Sequence, residues 1–337
     1  MALSFPHLPA QETRTSLPFP ETIEERRAAR ARGRLRAAAE RCLALWHLAS
    51  LDAATVAVVW SAAFAWAAGV RVAAWRLGLQ GLAVWTVYVA DRLLDARAGL
   101  RASDLEPLRE RHFFHWRHRR VLAPMAVAAA CATAALILTS LPTPDRARSA
   151  ALAAAALVYF AQVHWFARSP RVERGARRGA RPLRAGSFLS RVVTKEMLVG
   201  VLFTAGCTLP AMGRMPGAGR GPVLCVVGFF ALVAWLNCGW IEEWERETPS
   251  RVTRGRAGGE AGWAGGWFPA GAGLALAALL WAHPRAAELL LAGALSAALL
   301  AWLDGQRSRM SPVTLRAAAD LVLLTPLLVM AVAGLGR

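Results

Sequence analysis

A long apolar stretch, roughly residues 72–90, ends in Trp85-Thr-Val-Tyr-Val-Ala-Asp91-Arg-Leu-Leu-Asp95-Ala-Arg97 and runs directly into an arginine-rich segment. Such a run is long enough to cross a bilayer as a helix, and the charges mark the end of that helix. Asp91 and Asp95 are four residues apart and therefore share one helical face. A carboxylate pair at a membrane helix end, close to basic side chains, can hold a divalent cation that in turn holds a diphosphate.

The composition is that of a multi-spanning membrane protein. Of the 337 residues 56% are apolar, and the mean hydropathy is +0.35. The net charge of +18 lies in loops between apolar segments, which indicates loop orientation across a membrane and not a nucleic-acid partner. The five cysteines form no CxxC or Cys/His spacing, so neither a disulfide framework nor a zinc site is predicted.

Nine apolar runs have the length of a membrane span. Turn or charge clusters separate them, and residues 1–41 before them form a basic arm. The sequence thus predicts an all-α integral membrane protein with a cytoplasmic N-terminal arm and a nine-helix transmembrane domain over residues 42–337. The approximate spans are 43–70, 72–95, 121–142, 148–167, 193–212, 222–241, 263–282, 285–303 and 314–335.

The charge of the loops predicts which side of the membrane each loop lies on. Alternate loops, beginning with the N-terminal arm, carry 32 of the 40 Lys and Arg residues, and the loops on the other side carry the remaining eight. Because basic loops stay inside, the N-terminus is predicted to be cytoplasmic in a multi-pass protein of the cytoplasmic membrane. The long loops after spans 2, 4 and 6 then lie on the cytoplasmic face, where we expect the chemistry.

A second acidic cluster ends span 6, in Trp235-Leu-Asn237-Cys-Gly-Trp-Ile-Glu-Glu243-Trp-Glu-Arg-Glu247. Glu243 and Glu247 repeat the spacing of Asp91 and Asp95, and spans 2 and 6 are four apart. This favours a diverged duplication, about 43–167 and 193–303, followed by a last helix at 314–335. Two facing carboxylate pairs would bind two Mg²⁺ ions that bridge one diphosphate. Alternatively, the acids are solvated or paired with nearby arginines.

The placement of these two clusters resembles the UbiA-type intramembrane prenyltransferase superfamily over about residues 43–335. The family motif Asn-x-x-x-Asp-x-x-x-Asp aligns with Val87, Asp91 and Asp95, and its second motif, Asp-x-x-x-Asp, aligns with Glu243 and Glu247. The resemblance implies that these four acids are catalytic and bind Mg²⁺. It also implies transfer of a prenyl group from a polyprenyl diphosphate to a lipophilic or aromatic acceptor, among membrane lipids.

Several further polar residues are candidates for substrate binding around this site. Basic groups would stabilise the charge that develops on the diphosphate, and polar groups inside the spans should face the bundle interior. Lys195, the sole lysine, is either a diphosphate contact or an interfacial ion pair with Glu196. The predicted substrate-binding residues are Arg92, Arg97, Arg191, Lys195, Asp52 and Asn237.

Two other groups of ionisable residues have open interpretations. Asp52 in span 1 and Asp320 in span 9 either contact an acceptor, take a proton or pair with an arginine. The histidines of Arg111-His-Phe-Phe-His-Trp-Arg-His118 favour an amphipathic interfacial helix over a metal site, because positive charge surrounds them. His164 is expected to be an interfacial or satisfied histidine.

Two alternatives to a transferase follow from the same features. A UbiA-like protein that has lost its chemistry would bind lipid or serve as a structural subunit. A transporter would be expected to show paired Gly- or Pro-broken spans at mid-membrane depth, and the sequence shows no such pair.

Overall fold

The computed structural model of the chain describes residues 23–100, 110–166, 195–215, 217, 220–246 and 259–335, which form helices and turns without a strand. Chain contacts divide the protein into Met1–Cys42 and Leu43–Arg337. The helices are α1 Ile23–Leu48, α2 Leu51–Ala67, α3 Ala74–Gly99, α4 Glu110–Arg117, α5 Arg119–Ser140, α6 Thr143–Ala161, α7 Lys195–Met212, α8 Arg220–Arg246, α9 Gly259–Leu279, α10 Pro284–Gln306, α11 Pro312–Leu321 and α12 Pro326–Leu335.

Four helical stretches of the described chain have the length and apolarity to cross a membrane, and a fifth is added if the bent pair Arg30–Leu48 and Leu51–Ala67 is one span. The protein is therefore an all-α membrane protein, as predicted. Nine spans and a cytoplasmic N-terminus stay predictions. The four stretches are Arg119–Ser140, Arg220–Glu245, Pro284–Arg309 and Pro312–Ala333.

The core of the bundle lies around α2. Trp60 on this helix is fully buried and stacks on Phe230 of α8, with ring centroids 3.8 Å apart. Phe64 packs against both rings, and α10 closes the same cluster with Leu289 and Leu290. Helix α2 also contacts α3, α7, α11 and α12. Aromatic packing on this scale holds α2 in the centre of the fold.

The last predicted span, 314–335, is not continuous. Helix α11 ends at Leu321, a 3₁₀ turn covers Val322–Leu324, and α12 begins at Pro326. Proline has no N–H to donate and clashes with the preceding turn, so the helix breaks before it. The carbonyl of Val322, which Pro326 cannot bond, accepts from Ser296 Oγ, and the adjacent Leu323 O accepts from Trp60 Nε1, each at 2.8 Å. These bonds are what make a break tolerable at membrane depth.

Helices α7 and α8 pack closely at Gly200. A Cβ atom at this position would lie 2.9 Å from the backbone nitrogen of Trp235. Only glycine allows the two backbones to approach so closely. This contact fixes α8, and with it Asn237, beside the centre of the bundle.

Candidate functional site

Asp91 and Asp95 meet a histidine from another helix at the end of α3. His164 Nε2 lies 3.1 Å from Asp91 Oδ1, and His164 Nδ1 lies 3.6 Å from Asp95 Oδ1. The ligating atoms of all three side chains fall within 4.8 Å of one another. The two carboxylates are partly exposed, whereas the His164 side chain is only 5% exposed. We call these three residues the Asp–His centre.

A π-helical turn over Gln162–Phe166 carries His164 into this centre. A π turn adds a residue to one helical turn and so redirects the side chains on it, a distortion often found at functional sites. One ring nitrogen of His164 is hydrogen-bonded to Asp91, while the buried Nδ1 has no hydrogen-bond partner among the described residues. Sequence reasoning gave His164 no role at the site, because nothing in the local pattern near residue 164 indicates an approach to Asp91.

Helix α4 lies beside the Asp–His centre and contacts α3. His112 Nε2 lies 3.9 Å from Asp95 Oδ2 and accepts a hydrogen bond from Arg111 Nε at 3.2 Å. His115 is buried and interacts with Ser50, whereas His118 bonds to the carbonyl of Phe114 on its own helix. The three histidines therefore point to three different places, which agrees with the amphipathic interpretation and not with a three-histidine metal site.

Positive charge surrounds the two aspartates. Lys195, exposed at the start of α7, and Arg111 both act electrostatically on Asp91 and Asp95. Arg97, which was predicted to contact substrate, is exposed at the end of α3. Arg191 lies outside the described residues. A region of this charge suits an anionic ligand, held jointly by basic side chains and by a cation on the carboxylates.

The acidic end of α8 differs from the prediction. Glu243 is exposed and makes no contact with Asp91 or Asp95 that the structure describes, and Glu247 lies outside the described residues. The inward-facing acid is Glu245, which forms an ion pair with Arg316 and lies 3.4 Å from Arg111. The predicted second carboxylate pair, Glu243 and Glu247, therefore stays a prediction, and Glu245 is the acid of this helix end that the structure shows paired.

The helical period explains this difference. Asn237 is buried and faces the interior from α8. Residues seven and eight positions later, Trp244 and Glu245, lie on the same face. Trp244 Nε1 accordingly donates to Asp304 Oδ1 at 2.8 Å. Glu243 is six positions after Asn237 and turns away from that face.

A second group of polar side chains lies inside the bundle, and we call it the interior polar cluster. His47 Nδ1 is hydrogen-bonded to Asp52 and lies 3.8 Å from Asp320 Oδ2. Arg92 Nη2 lies 3.8 Å from Asp52 Oδ2, and its Nη1 donates to the carbonyl of His47 at 2.8 Å. Asn237 Nδ2 donates to Asp320 Oδ1 at 3.0 Å. Charge balance inside a membrane bundle requires pairing of this kind.

Three predicted substrate contacts belong to this cluster. Asp52, Arg92 and Asn237 are each 5% exposed or less. Arg92 was expected beside the diphosphate, yet its guanidinium turns inward to Asp52, although Asp91 is its neighbour in sequence. Adjacent residues on a helix point about 100° apart, so Arg92 and Asp91 serve different sites. The partners shown for Asp320 are Asn237 and His47, not the arginine that one interpretation proposed, whereas Asp52 has Arg92 nearby.

A small cavity lies next to the interior polar cluster. Its polar lining consists of Tyr88, Asn237, Cys238 and Asp320, and the rest is apolar. The volume of this cavity that water can occupy is about 30 Å³, which is room for roughly two water molecules. Tyr88 is one turn before Asp91 on α3, so the cavity lies one helical turn deeper than the Asp–His centre along that helix.

Comparisons with protein-family models, with curated proteins and with solved structures find no match. The resemblance to the UbiA-type superfamily therefore depends on the motifs and their placement, and it stays a prediction.

Proposed function

We propose that this chain is an intramembrane transferase that moves an isoprenoid group from a polyprenyl diphosphate to a lipophilic or aromatic acceptor. The observation that carries the proposal is the Asp–His centre, in which the ligating atoms of Asp91, Asp95 and His164 lie within 4.8 Å of one another. It occurs at the end of a long helix, beside Lys195 and Arg111. Nine spans, a UbiA-like bundle and a cytoplasmic active face in the cytoplasmic membrane belong to the same proposal, supported by the loop charges.

The donor set of the centre fits a divalent metal ion. Two carboxylates supply negative charge, and an ion would satisfy the buried Nδ1 of His164, which no described residue hydrogen-bonds. Asp91, Asp95 and His164 are the residues that would hold the ion. When bound, such an ion binds diphosphate oxygens and neutralises the charge that develops as the diphosphate leaves.

Side chains of the protein would stabilise the leaving diphosphate and keep water from the reaction. Lys195 and Arg111 place positive charge where the diphosphate would lie, and that charge stabilises the leaving group most in the transition state. Arg111 is held in position by its 3.4 Å contact with Glu245. The apolar residues around the bundle interior exclude water, which would otherwise react with an allylic cation.

A second candidate function is a UbiA-like lipid-binding protein without chemistry. The observation that favours it is at the end of α8: Glu243 is exposed, and Glu245 is bound in an ion pair with Arg316. A second metal-binding carboxylate pair is thus lacking among the described residues. Such a protein would bind a polyprenyl diphosphate without releasing diphosphate from it.

Substitution of the aspartates tests the proposal. Purified protein in lipid nanodiscs is incubated with radiolabelled farnesyl and geranylgeranyl diphosphates and a membrane lipid extract, and labelled lipid and released diphosphate are measured. Asp91→Asn and Asp95→Asn should lower release by about 100-fold or more, because each removes a charge on which the centre depends. Glu243→Gln, a matched removal of an exposed carboxylate, should retain wild-type release.

The outcomes separate the two candidates. Binding of the labelled diphosphate without release in the wild type supports the lipid-binding function and overturns the transferase. An equal loss in Glu243→Gln would show that the exposed acid takes part and would overturn a centre built on α3 and His164.

A further inference from the structure

The Asp–His centre differs chemically from a site made of carboxylates alone. We infer that it selects a transition-metal ion that accepts nitrogen ligands, of the Mn²⁺, Fe²⁺ or Zn²⁺ class, over Mg²⁺. The inference rests on the proposed function only in using the same centre. It differs from the expectation of Mg²⁺, which stays a prediction and came from acidic motifs without a histidine, Asp91 with Asp95 and Glu243 with Glu247.

The hydrogen bond of His164 determines which nitrogen is available. Nε2 lies 3.1 Å from Asp91 Oδ1, and an ionised carboxylate accepts, so Nε2 carries the hydrogen. A neutral ring then presents the lone pair of Nδ1 towards Asp95 Oδ1, 3.6 Å away. A lone pair facing a carboxylate oxygen is repulsive unless a positive charge lies between the two atoms.

A metal ion satisfies this arrangement. Two ligands about 2.1 Å from a tetrahedral ion lie roughly 3.4 Å apart, which is close to the separation of Nδ1 and the Asp95 oxygen. A histidine that binds metal through one nitrogen usually donates its other N–H to a carboxylate, which orients the ring and increases its basicity. Asp91 is placed to do this for His164.

The burial of His164 adds a second reason. Its side chain is 5% exposed, and its buried Nδ1 has no hydrogen-bond partner in the part of the chain that the structure describes. Leaving a buried polar atom without a hydrogen bond is unfavourable, because the atom has lost its contact with water. The π turn over Gln162–Phe166 carries the ring, and it places a nitrogen that no described residue hydrogen-bonds beside two carboxylates.

Nitrogen coordination sets the preference among ions. Imidazole suits Fe²⁺ and Zn²⁺, and Mn²⁺ accepts it beside carboxylates, whereas Mg²⁺ prefers oxygen ligands and retains several waters. The His164 imidazole and the Asp95 carboxylate, with Asp91 orienting the ring through Nε2, leave further positions for water and for diphosphate oxygens. The same centre therefore meets the needs of the proposed reaction with an ion other than Mg²⁺.

Metal affinity and spectroscopy test the inference without an activity assay. Full-length protein in nanodiscs is stripped with EDTA, and the dissociation constants of Mn²⁺, Zn²⁺ and Mg²⁺ are measured by titration. Mn²⁺ and Zn²⁺ should bind about 100-fold or more tightly than Mg²⁺, and His164→Ala should reduce that preference by about tenfold or more. Pulsed EPR of bound Mn²⁺ should show coupling to an imidazole nitrogen that His164→Ala abolishes.

His118→Ala is the matched control. His118 is exposed, bonds to a carbonyl of its own helix and lies in the same histidine-rich segment. This variant should retain the affinities and the nitrogen coupling of the wild type. Equal affinity for Mg²⁺ and Mn²⁺, a nitrogen signal that survives in His164→Ala, or no binding of Mn²⁺ and Zn²⁺ would each overturn the inference. The last result would mean that an imidazolium bridges the two aspartates.

The two proposals fail separately. If Mg²⁺ supports transfer through the carboxylates and His164 has no effect on ion preference, the proposed function stands and the inference is wrong. If Mn²⁺ or Zn²⁺ binds tightly through His164 but no labelled donor releases diphosphate, the inference stands and the proposed function is wrong.

Discussion

At the scale of single residues, burial determines the protonation state of His115 in the folded protein. The side chain is fully buried. Its Nδ1 lies 2.8 Å from the carbonyl of Arg111 and its Nε2 lies 3.2 Å from Ser50 Oγ. A neutral ring satisfies both contacts, with Nδ1–H as donor and Nε2 as acceptor. Desolvation by burial accordingly lowers the pKa of His115 to about 4.

This lowered pKa predicts a loss of stability in acid. The pKa of the same group in the unfolded chain is 6.5, so below that pH the unfolded chain binds a proton that the folded protein excludes. The contribution of His115 to stability is complete above the unfolded pKa and declines as the pH falls to about 4. Thermal unfolding in detergent, measured from pH 7 to about 4.5, should show this loss.

The matching variants isolate His115 from the other titrating groups. His115→Gln retains polar atoms without a charge in this range, so its unfolding temperature should decline less over the same pH interval. His118→Gln, at an exposed position, should follow the wild type. Parallel pH curves for the wild type and His115→Gln would contradict the prediction.

At the scale of elements, the register of α8 determines which of its acids is structural. Glu245 and Arg316 are 9% and 8% exposed, and they join the end of α8 to α11. Arg111 of α4 reaches the same carboxylate. One side chain thus connects three helices around the Asp–His centre. Glu243, two residues earlier, is exposed.

Removing the charge of Glu245 should therefore destabilise the protein. Glu245→Gln leaves the buried Arg316 guanidinium without its counter-charge, and breaking a buried pair typically costs about 3–5 kcal/mol. Chemical denaturation in detergent micelles measures the free energy of unfolding. Glu243→Gln should change that free energy by less than about 0.5 kcal/mol, as surface substitutions do. Equal effects at the two positions would show that the register of α8 is different.

The apolar periodicity of the sequence did not predict two irregular elements. The π turn at Gln162–Phe166 and the 3₁₀ turn at Val322–Leu324 both interrupt helices that the apolar pattern predicts as continuous. Pro326 is a signal for the second break, since proline ends or kinks a helix. The first has no proline, and the pattern around Gln162–Phe166 offers no other signal for it.

At the scale of the whole molecule, loop charge predicts the position of the two termini. An odd number of spans places them on opposite sides of the membrane, with the N-terminus inside. A fluorescent protein that matures only in the cytoplasm should therefore fluoresce when fused before Met1 and remain dark when fused after Arg337. Alkaline phosphatase fusions at the same two positions should give the reverse pattern. Activity of one reporter at both termini would contradict nine spans.

The apolar pattern and the spacing of charged residues were sufficient to predict a helical membrane protein. Apolar runs predict helices in a membrane because a bilayer leaves backbone polar groups no partner except one another. The four-residue spacing of Asp91 and Asp95 likewise determines that they share a helical face, and the structure brings both to one centre. These inferences need only the helical period and the cost of burying charge.

Only tertiary packing decided which residues meet. His164 joins Asp91 across 73 positions in the sequence, and Asn237 joins Asp320 across 83. Arg92 turns to Asp52 and not to the acids beside it, and Glu245 faces inward in place of Glu243. The physical reason is that a helix rotates each side chain by about 100°, while the partner of each face depends on how separate helices pack.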